Sequence, residues 1–248
     1  MLSPARRHLL KAKAAIEAAK ADEFGGVRPD ASVYQLQLTE LKNDIHVLRS
    51  IQSQDKRVEA KKELIPKHMP YVLGVIESGA KVEQDEVITT IMLWCFDCGL
   101  FNKGLSLAEY ALHNDLKMPD SFSRNTASIV VEEIGNAAHK TYQDGQIFAL
   151  DVLEKANELT ANHDMHDQIR AKLYLAIGRT FLQLDRGSEA VEFIKKAIAK
   201  NENCGGKTDL KKAEKLYKEQ LQNLAEPMLN ANGSQVVDDQ CNLMFHST

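Results

Sequence analysis

Acidic and basic side chains crowd together in DKRVEAKKELIP, residues 55–66. Asp55, Glu59 and Lys61 are of the types with which metal-dependent nucleases position a divalent ion and an attacking water. Such a site requires both carboxylates and the lysine to converge on one ion. On a single helix Asp55 and Glu59 share a face, whereas Lys61 points about 200° around the axis from Glu59. The spacing therefore argues against a nuclease centre, and the catalytic residues stay unassigned.

The same stretch is rich in cations, which extend a row from Arg49, and so is the start of the chain. On a helix surface each cation could contact a DNA phosphate through counterion release, without reading base sequence. Glu59 and Glu63 interrupt the row, as on an ordinary solvated helix face. If the two segments form a hairpin, both rows could lie along one duplex. The candidate DNA-binding residues are Arg6, Arg7, Lys11, Lys13, Lys56, Arg57, Lys61 and Lys62.

Other chemistry is sparse. CFDC, residues 95–98, offers two of the four ligands of a structural zinc site, and Cys204 and Cys241 are isolated, so buried core thiols are the better interpretation. NHDMHD, residues 162–167, could hold a cation, but Asn and Asp between predicted helices are typical of caps. Gly-rich phosphate loops are missing. We therefore predict no metal site and no cofactor in this chain.

Length and composition are those of an ordinary globular protein, with 248 residues, 44% hydrophobic and 27% charged. No apolar run approaches the roughly 20 residues needed to cross a bilayer, and the first 23 residues lack the continuous apolar core of a secretory signal. We expect an intracellular protein without a membrane partner. Residues 1–67 carry 13 Lys and Arg against 9 Asp and Glu, and the remainder 18 against 26. An anionic partner is expected at the N-terminal part.

Apolar residues recur at intervals of three and four, which predicts an all-α protein. The first helix is expected from Ser3 to about Asp22, where EFGGVRPDAS breaks it. A long helix is expected from about Ser32 to Ile65, stopped by the prolines at 66 and 70. Its apolar seam is spaced like a short coiled coil and could pair with the first helix or with another copy of the chain. The seam residues are Tyr34, Leu38, Leu41, Ile45 and Leu48.

Helix pairs are predicted further along the chain. ITTIMLWCFDCGLF has the composition of one continuous buried helix. Residues 173–200 match the tetratricopeptide hairpin, with the small residues Gly178 and Ala190 where the two helices would cross. Weaker matches to the same pattern of small residues contain Gly104 and Ala149. An irregular α-solenoid is the favoured interpretation, and a plain helical bundle is the alternative.

These elements suggest four parts. Residues 1–67 are expected to form a helical hairpin or short coiled coil for DNA contact and self-assembly. Residues 68–201 would form an irregular tetratricopeptide-like domain of helix pairs, followed by a C-terminal helix at 202–226. A polar, flexible tail, 227–248, ends in NLMFHST, where NLMFH is a candidate docking peptide.

Four long strings in collinear order across residues 1–200 resemble the small-subunit terminase family of temperate phages with contractile tails. They are SPARRHLLKAKAAIEA, AKKELIPKHMPYVLGVIESGAKVEQDEVITTIMLWCFDCG, LAEYALHNDLKMPDSFSRNTASIVVEEI and DQIRAKLYLAIGRTFL. The resemblance implies binding of the cohesive-end site of concatemeric, double-stranded phage DNA. It also implies assistance in DNA cleavage and packaging into the procapsid with the large ATPase subunit, in the host cytoplasm. Mg²⁺ and ATP are then expected at the large subunit, and this chain is expected to self-associate.

Members of this family are commonly labelled endonuclease subunits, but the chain supplies no convincing set of metal ligands to match. Three functions therefore stay open. The favoured one is a DNA-binding small subunit. The second is a nuclease that cuts DNA itself, using Asp55 or Glu59 and a divalent metal. The third is a tetratricopeptide-like adaptor that binds peptides near Arg170, Tyr174 and Arg179 without touching DNA.

Overall fold

The structure, a computed structural model, describes residues 3–23, 32–119 and 122–224. Within these ranges the chain forms helices and no strand, which confirms the all-α prediction. None of the helices described is both long enough and apolar enough to cross a bilayer. The helices are α1 (Pro4–Glu23), α2 (Ser32–Ser50), α3 (Gln54–Glu77), α4 (Glu86–Asp97), α5 (Phe101–His113), α6 (Thr126–Gln143), α7 (Leu150–Thr160), α8 (Asp167–Gln183), α9 (Gly187–Lys200) and α10 (Lys207–Leu224).

The helices belong to two compact units. The first contains the described residues of Met1–Ala137 and Asp151–His166, and the second those of Ala138–Leu150 and Asp167–Thr248. Helices α1 to α5 therefore lie in the first unit and α8 to α10 in the second. All eight candidate DNA-binding residues belong to the first unit.

Helices α1 and α2 pack against each other as a hairpin. α1 begins at Pro4, in the first turn as predicted. The carboxylate of Glu17 on α1 accepts hydrogen bonds from the backbone N–H groups of Val33 (2.8 Å) and Tyr34 (3.0 Å). α1 thus supplies acceptors for the first N–H groups of α2, which have no partner inside their own helix. The predicted break at EFGGVRPDAS lies almost entirely outside the described residues.

The apolar seam of α2 faces the interior of its own unit. Leu41 is 1% exposed, and Leu38 and Leu48 are also buried. Tyr34 stacks on Tyr71 of α3, with ring centroids 6.5 Å apart. The sequence left open a pairing of this seam with the first helix or with another copy of the chain. The contact shown by Tyr34 is within the chain but is made with α3.

The long helix predicted from Ser32 to Ile65 is wrong, because the chain breaks at residues 51–53. α2 ends at Ser50. The hydroxyl of Ser53 then accepts a hydrogen bond from the backbone N–H of Lys56 at 3.4 Å and caps α3. A serine with extended backbone geometry at this position stabilises the start of a new helix.

Pro66 and Pro70 lie inside α3, so the prediction that they end the helix is also wrong. A proline in a helix interior removes one backbone hydrogen bond and costs about 3 kcal/mol. The helix continues because its inner face is buried deeply on both sides of the prolines, with Ile65, His68 and Val72 at most 2% exposed. Consequently α3 crosses the domain boundary that was predicted after residue 67.

The start of α4 is tied to α3. One carboxylate oxygen of Asp85 accepts hydrogen bonds from the N–H groups of Val87 and Ile88 at 3.0 and 3.1 Å, and the other accepts the hydroxyl of Tyr71 at 2.6 Å. α4 ends at Asp97, and residues 98–100 turn into α5. ITTIMLWCFDCGLF is therefore two helices, not the single helix that was predicted.

In the second unit, residues 173–200 form a pair of packed helices, α8 and α9. They approach closely at Gly178, where a Cβ atom would lie 2.6 Å from Cγ1 of Ile194 and 3.3 Å from the carbonyl oxygen of Ala190. The predicted crossing of small residues is thus observed for this pair. Ala149 is exposed and precedes α7, so it does not play that role. α10 packs on α9 as the last described helix.

Candidate nucleic-acid interface

The connection between α2 and α3 at residues 51–53, here called the elbow, is held by one of the predicted DNA-binding cations. Nε of Arg57 donates a hydrogen bond to the carbonyl oxygen of Ile51 at 2.6 Å. This side chain is half-buried. Arg57 therefore bridges the elbow, and its guanidinium is partly used within the chain.

A second predicted cation is also engaged. Nζ of Lys61 lies 2.6 Å from Oδ2 of Asp97 at the end of α4, and the lysine side chain is only 15% exposed. Lys56 and Lys62, by contrast, are exposed and have no polar side-chain partner in the part of the chain that is described. The four cations at the start of α3 thus divide into two that stabilise the fold and two that are available to a ligand.

Asp55, Glu59 and Lys61 are not brought together. Asp55 and Glu59 are exposed, whereas Lys61 points to the opposite side of α3, toward Asp97, as the helical spacing predicted. Across residues 3–23, 32–119 and 122–224 no three His, Cys, Asp or Glu side chains form a group that could hold a metal ion. The exposed side of α3 mixes signs, since Lys62 lies near Glu59 and Glu63 in sequence.

The four predicted cations of α1 have different surroundings. Nζ of Lys11 lies 2.5 Å from Oε2 of Glu77 at the end of α3. Arg6, Arg7 and Lys13 are exposed. Lys11 is therefore neutralised within the unit.

Helix α1 contacts the C-terminal half of α3, beyond the prolines. A Cβ atom on Gly74 would collide with the carbonyl oxygen of Lys11 and would lie 2.9 Å from Cβ of Ala14. At 1.5 Å of rise per residue, Lys62 lies about 18 Å from Gly74 along α3, and Lys56 about 27 Å. The contact of α1 at Gly74 is therefore well separated from the elbow along α3.

Helix α2 adds a cation that sequence reasoning missed. Lys42 and Arg49 are exposed, lie seven residues apart on one side of α2, and line a groove of about 530 Å³ between α2 and α4. Lys61 lines the same groove. Lys56 and Lys62 lie within about 8 Å of Lys61 along the axis of α3. The seven-residue interval between Lys42 and Arg49, which places both on one side of a helix, could have identified Lys42 from the sequence. The exposed set Lys42, Arg49, Lys56 and Lys62 is called the elbow cations below.

Behind the elbow cations, a buried polar network holds α2 on α3. Nδ1 of His68 lies 2.6 Å from the side-chain nitrogen of Gln37, and Nε2 lies 2.8 Å from Oδ2 of Asp44. Because an amide nitrogen only donates, Nδ1 accepts and the ring proton sits on Nε2, which donates to Asp44. Nζ of Lys67 completes the network by donating to both oxygens of Asp44, at 2.9 and 2.7 Å.

The charges in this network follow from burial. Burial lowers the pKa of His68 below its usual value, and this outweighs the opposing pull of the Asp44 carboxylate. Burial also disfavours the charged form of Lys67, but its hydrogen bonds to Asp44 and Glu40 raise its pKa above the usual value. The result is a neutral imidazole beside an ion pair, which fixes the register of the two helices that carry the elbow cations.

The remaining predicted sites are used in packing. Burial raises the pKa of the Cys95 thiol to about 11, and burial raises that of Cys98 as well.

In the second unit, Nε of Arg179 lies 2.7 Å from Oδ2 of Asp209, and the Arg179 guanidinium lies over the ring of Tyr142 at 4.5 Å. Arg170 is 6% exposed. The arginines expected on an adaptor surface are thus largely engaged.

The elbow and its surroundings lie in a region that matches a known protein family. The family profile described as phage small terminase subunit matches residues 38–168. The match covers just over half of the chain, including the elbow, the elbow cations and the buried network apart from Gln37. This chain belongs to the phage small terminase subunit family.

Two curated relatives of the small terminase subunit agree with this assignment. The chain is 33% identical over 218 residues to "Terminase, endonuclease subunit" of Escherichia phage P2, covering 88% of this chain and 87% of that protein. It is 25% identical over 133 residues to "Probable terminase, endonuclease subunit" of Haemophilus phage HP1 (strain HP1c1), covering 53% of this chain and 47% of that protein. No solved structure matches.

Proposed function

We propose that this small terminase subunit binds double-stranded phage DNA at the cohesive-end site of concatemers. In the same proposal it assists cleavage of that DNA and its packaging into the procapsid, together with the large ATPase subunit. Membership of the family supports the packaging role. The observation that carries the DNA contact is the set of four exposed elbow cations on α2 and α3, two helices that the Asp44–His68 hydrogen bond joins.

Contact by the elbow cations is electrostatic and independent of base sequence. Lysine and arginine side chains that neutralise phosphates release condensed counterions, so binding falls steeply as salt rises. Such contacts set the position of a protein on the duplex and carry little sequence information. In this proposal the small subunit holds the DNA, while Mg²⁺ and ATP act at the large subunit, in the host cytoplasm. The chain self-associates for this task.

The second unit serves as scaffold in the proposal. The close approach of α8 and α9 at Gly178 supports a tetratricopeptide-like helix pair, and α10 on α9 supports a stack of helices that continues toward the C-terminus. A surface of this type is suited to docking the large subunit.

The DNA contact is tested by reversing two elbow cations together, Lys56→Glu and Lys62→Glu. The matched control is Lys211→Glu with Lys218→Glu, two exposed lysines of α10 that change the net charge equally. Fluorescence anisotropy with cohesive-end DNA at 50 to 200 mM salt should show weaker binding for the elbow variant and a salt slope lower by about 2. Identical curves for both variants would remove the elbow from the DNA contact.

A second candidate function is DNA cleavage by this chain itself, and the names of both relatives favour it. It is tested by incubating the purified small subunit with cohesive-end DNA and Mg²⁺ in the absence of the large subunit. Specific nicking that disappears in Asp55→Asn or Glu59→Gln would establish a nuclease in this chain. DNA retention without nicking would favour the binding role.

A further inference from the structure

The outward side of α1 is both basic and apolar. Arg6, Leu9, Lys13 and Ile16 follow one another at intervals of three, four and three, so they lie within an arc of about 80° on the helix surface. Leu9 is 53% exposed and Ile16 is 59% exposed. Large apolar side chains at coiled-coil spacing on an exposed face are typical of a surface that pairs with another helix.

The outward side of α2 also exposes large apolar residues. Leu36 is 73% exposed and Val47 is 58% exposed, and Glu40 lies between them on the same side of the helix. Of the five large apolar residues that are more than half exposed in the described ranges, four are on these two helices. The fifth is Ile147. Apolar exposure is therefore concentrated on one face of the α1–α2 hairpin, which is called the hairpin face below.

A groove runs between the two helices on this face. Its volume is about 330 Å³, and its lining includes Leu9, Leu10 and Leu36 with Arg6, Lys13 and Glu40. The floor of the groove is apolar. Its α1 side carries the cations Arg6 and Lys13, and its α2 side carries Glu40. A partner with apolar side chains and both signs of charge complements such a groove.

We propose that the hairpin face binds the hairpin face of a second copy of this chain, so that two α1–α2 hairpins form a four-helix bundle. A twofold arrangement places α1 of each copy against α2 of the other. Arg6 and Lys13 then meet Glu40 of the other copy, while Leu9 and Leu36 enter the facing groove. This deepens the self-assembly part of the proposed function by naming the surface that carries it.

The composition of the hairpin face favours a second copy over DNA. A duplex backbone offers phosphates to Arg6 and Lys13 but leaves Leu9, Ile16 and Leu36 without a partner. Glu40 already pairs with Lys67 at 3.2 Å within the chain, but its side chain is 43% exposed and can take a second cation from a facing helix. The elbow cations Lys42 and Arg49 lie on a different side of α2 from Leu36, by about 130° around the axis, so DNA and a second copy need not compete.

The test is sedimentation velocity of the full chain over a concentration series, comparing the wild type with Leu36→Glu and with Leu9→Glu. The control is Leu221→Glu on α10, an apolar residue 47% exposed outside the hairpin face. The face variants should raise the dissociation constant of the dimer at least ~30-fold, with unchanged helical circular dichroism, whereas the control should match the wild type. Lys13→Glu, a milder change at an exposed site, should weaken association in the same direction.

Several outcomes would overturn the inference. One is a monomeric wild type throughout the series, and another is an unchanged mass for all three face variants. Loss of DNA affinity, or of binding to the large subunit, without any change in self-association would assign the hairpin face to that partner. Failure of the proposed DNA contact gives a different result from failure of this inference. It appears as unaltered DNA binding in the Lys56→Glu, Lys62→Glu double variant, and the inference predicts that this variant self-associates like the wild type.

Discussion

The Nε2 atom of His68 donates a hydrogen bond to Oδ2 of Asp44 at 2.8 Å, inside the contact between α2 and α3. The imidazole is fully buried and meets the ring of Trp94 edge-on, with centroids 5.9 Å apart. Three helices thus converge on one neutral histidine. Since α2 and α3 carry all four elbow cations, this histidine lies in the contact that joins the two helices of the surface that we propose for DNA.

Stability should depend on pH through His68. Its pKa is lowered in the folded chain, so below its usual value of 6.5 the unfolded chain binds a proton that the folded chain does not. The free energy of unfolding should therefore fall as pH drops below about 6.5. His68→Gln should cost about 1–3 kcal/mol at pH 7.5 and should flatten this fall, as followed by urea denaturation between pH 7.5 and 5.5. His46→Gln, at an exposed site on α2, should keep the wild-type slope, and a wild-type slope in His68→Gln would refute the assignment.

Adjacent lysines on α3 should behave differently. Lys61 pairs with Asp97, whereas Lys62 is exposed. Lys62→Met should weaken DNA binding and lower the salt slope by about 1. Lys61→Met should leave DNA binding nearly unchanged and should lower the free energy of unfolding by about 0.2–1 kcal/mol, the usual range for a partly exposed ion pair. Anisotropy titrations and denaturation curves of both variants measure the difference, and the reverse ranking would contradict the structure.

Two glycines should respond unequally to an added methyl group. In Gly74→Ala the new Cβ meets the backbone carbonyl of Lys11, which moves only if α1 moves. In Gly178→Ala the nearest atom is the side-chain Cγ1 of Ile194. We expect losses of about 1–3 kcal/mol for Gly178→Ala and a larger loss for Gly74→Ala. Thermal denaturation reports stability, and limited proteolysis within residues 3–23 reports whether α1 is released in the Gly74 variant only.

The reactivity of the Cys95 thiol should be limited by its burial. With a pKa of about 11, Cys95 is roughly 0.1% thiolate at pH 8, and the thiolate is the reactive form. Iodoacetamide should therefore label Cys95 very slowly in the folded chain and readily in urea, as measured by peptide mass spectrometry. Fast labelling of native Cys95 would show that α4 is not packed as described. Unchanged labelling after treatment with a chelator is also expected if Cys95 and Cys98 are core thiols.

The sequence predicted the helices best where local chemistry and burial agree. The position of Pro4 in the first turn of α1 and the close crossing at Gly178 follow from short-range rules, and both are observed. The elbow was missed because Ile51 continues the helical pattern, and the cap at Ser53 is one hydroxyl among many. The prolines of α3 were misjudged because only their local cost is visible in the sequence. Their local cost is outweighed by burial of His68 and Val72, which depends on helices far away in sequence.

The candidate site was only partly predictable. Residue type identifies every cation, but it does not say which cations have partners. Asp97 lies 36 residues from Lys61, and Glu77 lies 66 residues from Lys11, so neither ion pair is visible in local sequence. The separation of Lys61 from Glu59 was predictable, because helical geometry alone determines it.

The two prolines of α3 lie in the part of that helix that is held most closely by its neighbours. Between them Lys67 and His68 bind Asp44 of α2, while the helix is anchored to α4 through Lys61 on one side and crossed by α1 at Gly74 on the other. Each proline lacks the backbone N–H that would bond to the carbonyl one turn earlier. Contacts with α1, α2 and α4 therefore make up for the missing backbone bonds. The continuity of α3 is a tertiary property, and the same segment cut out of the protein is not expected to remain a single helix.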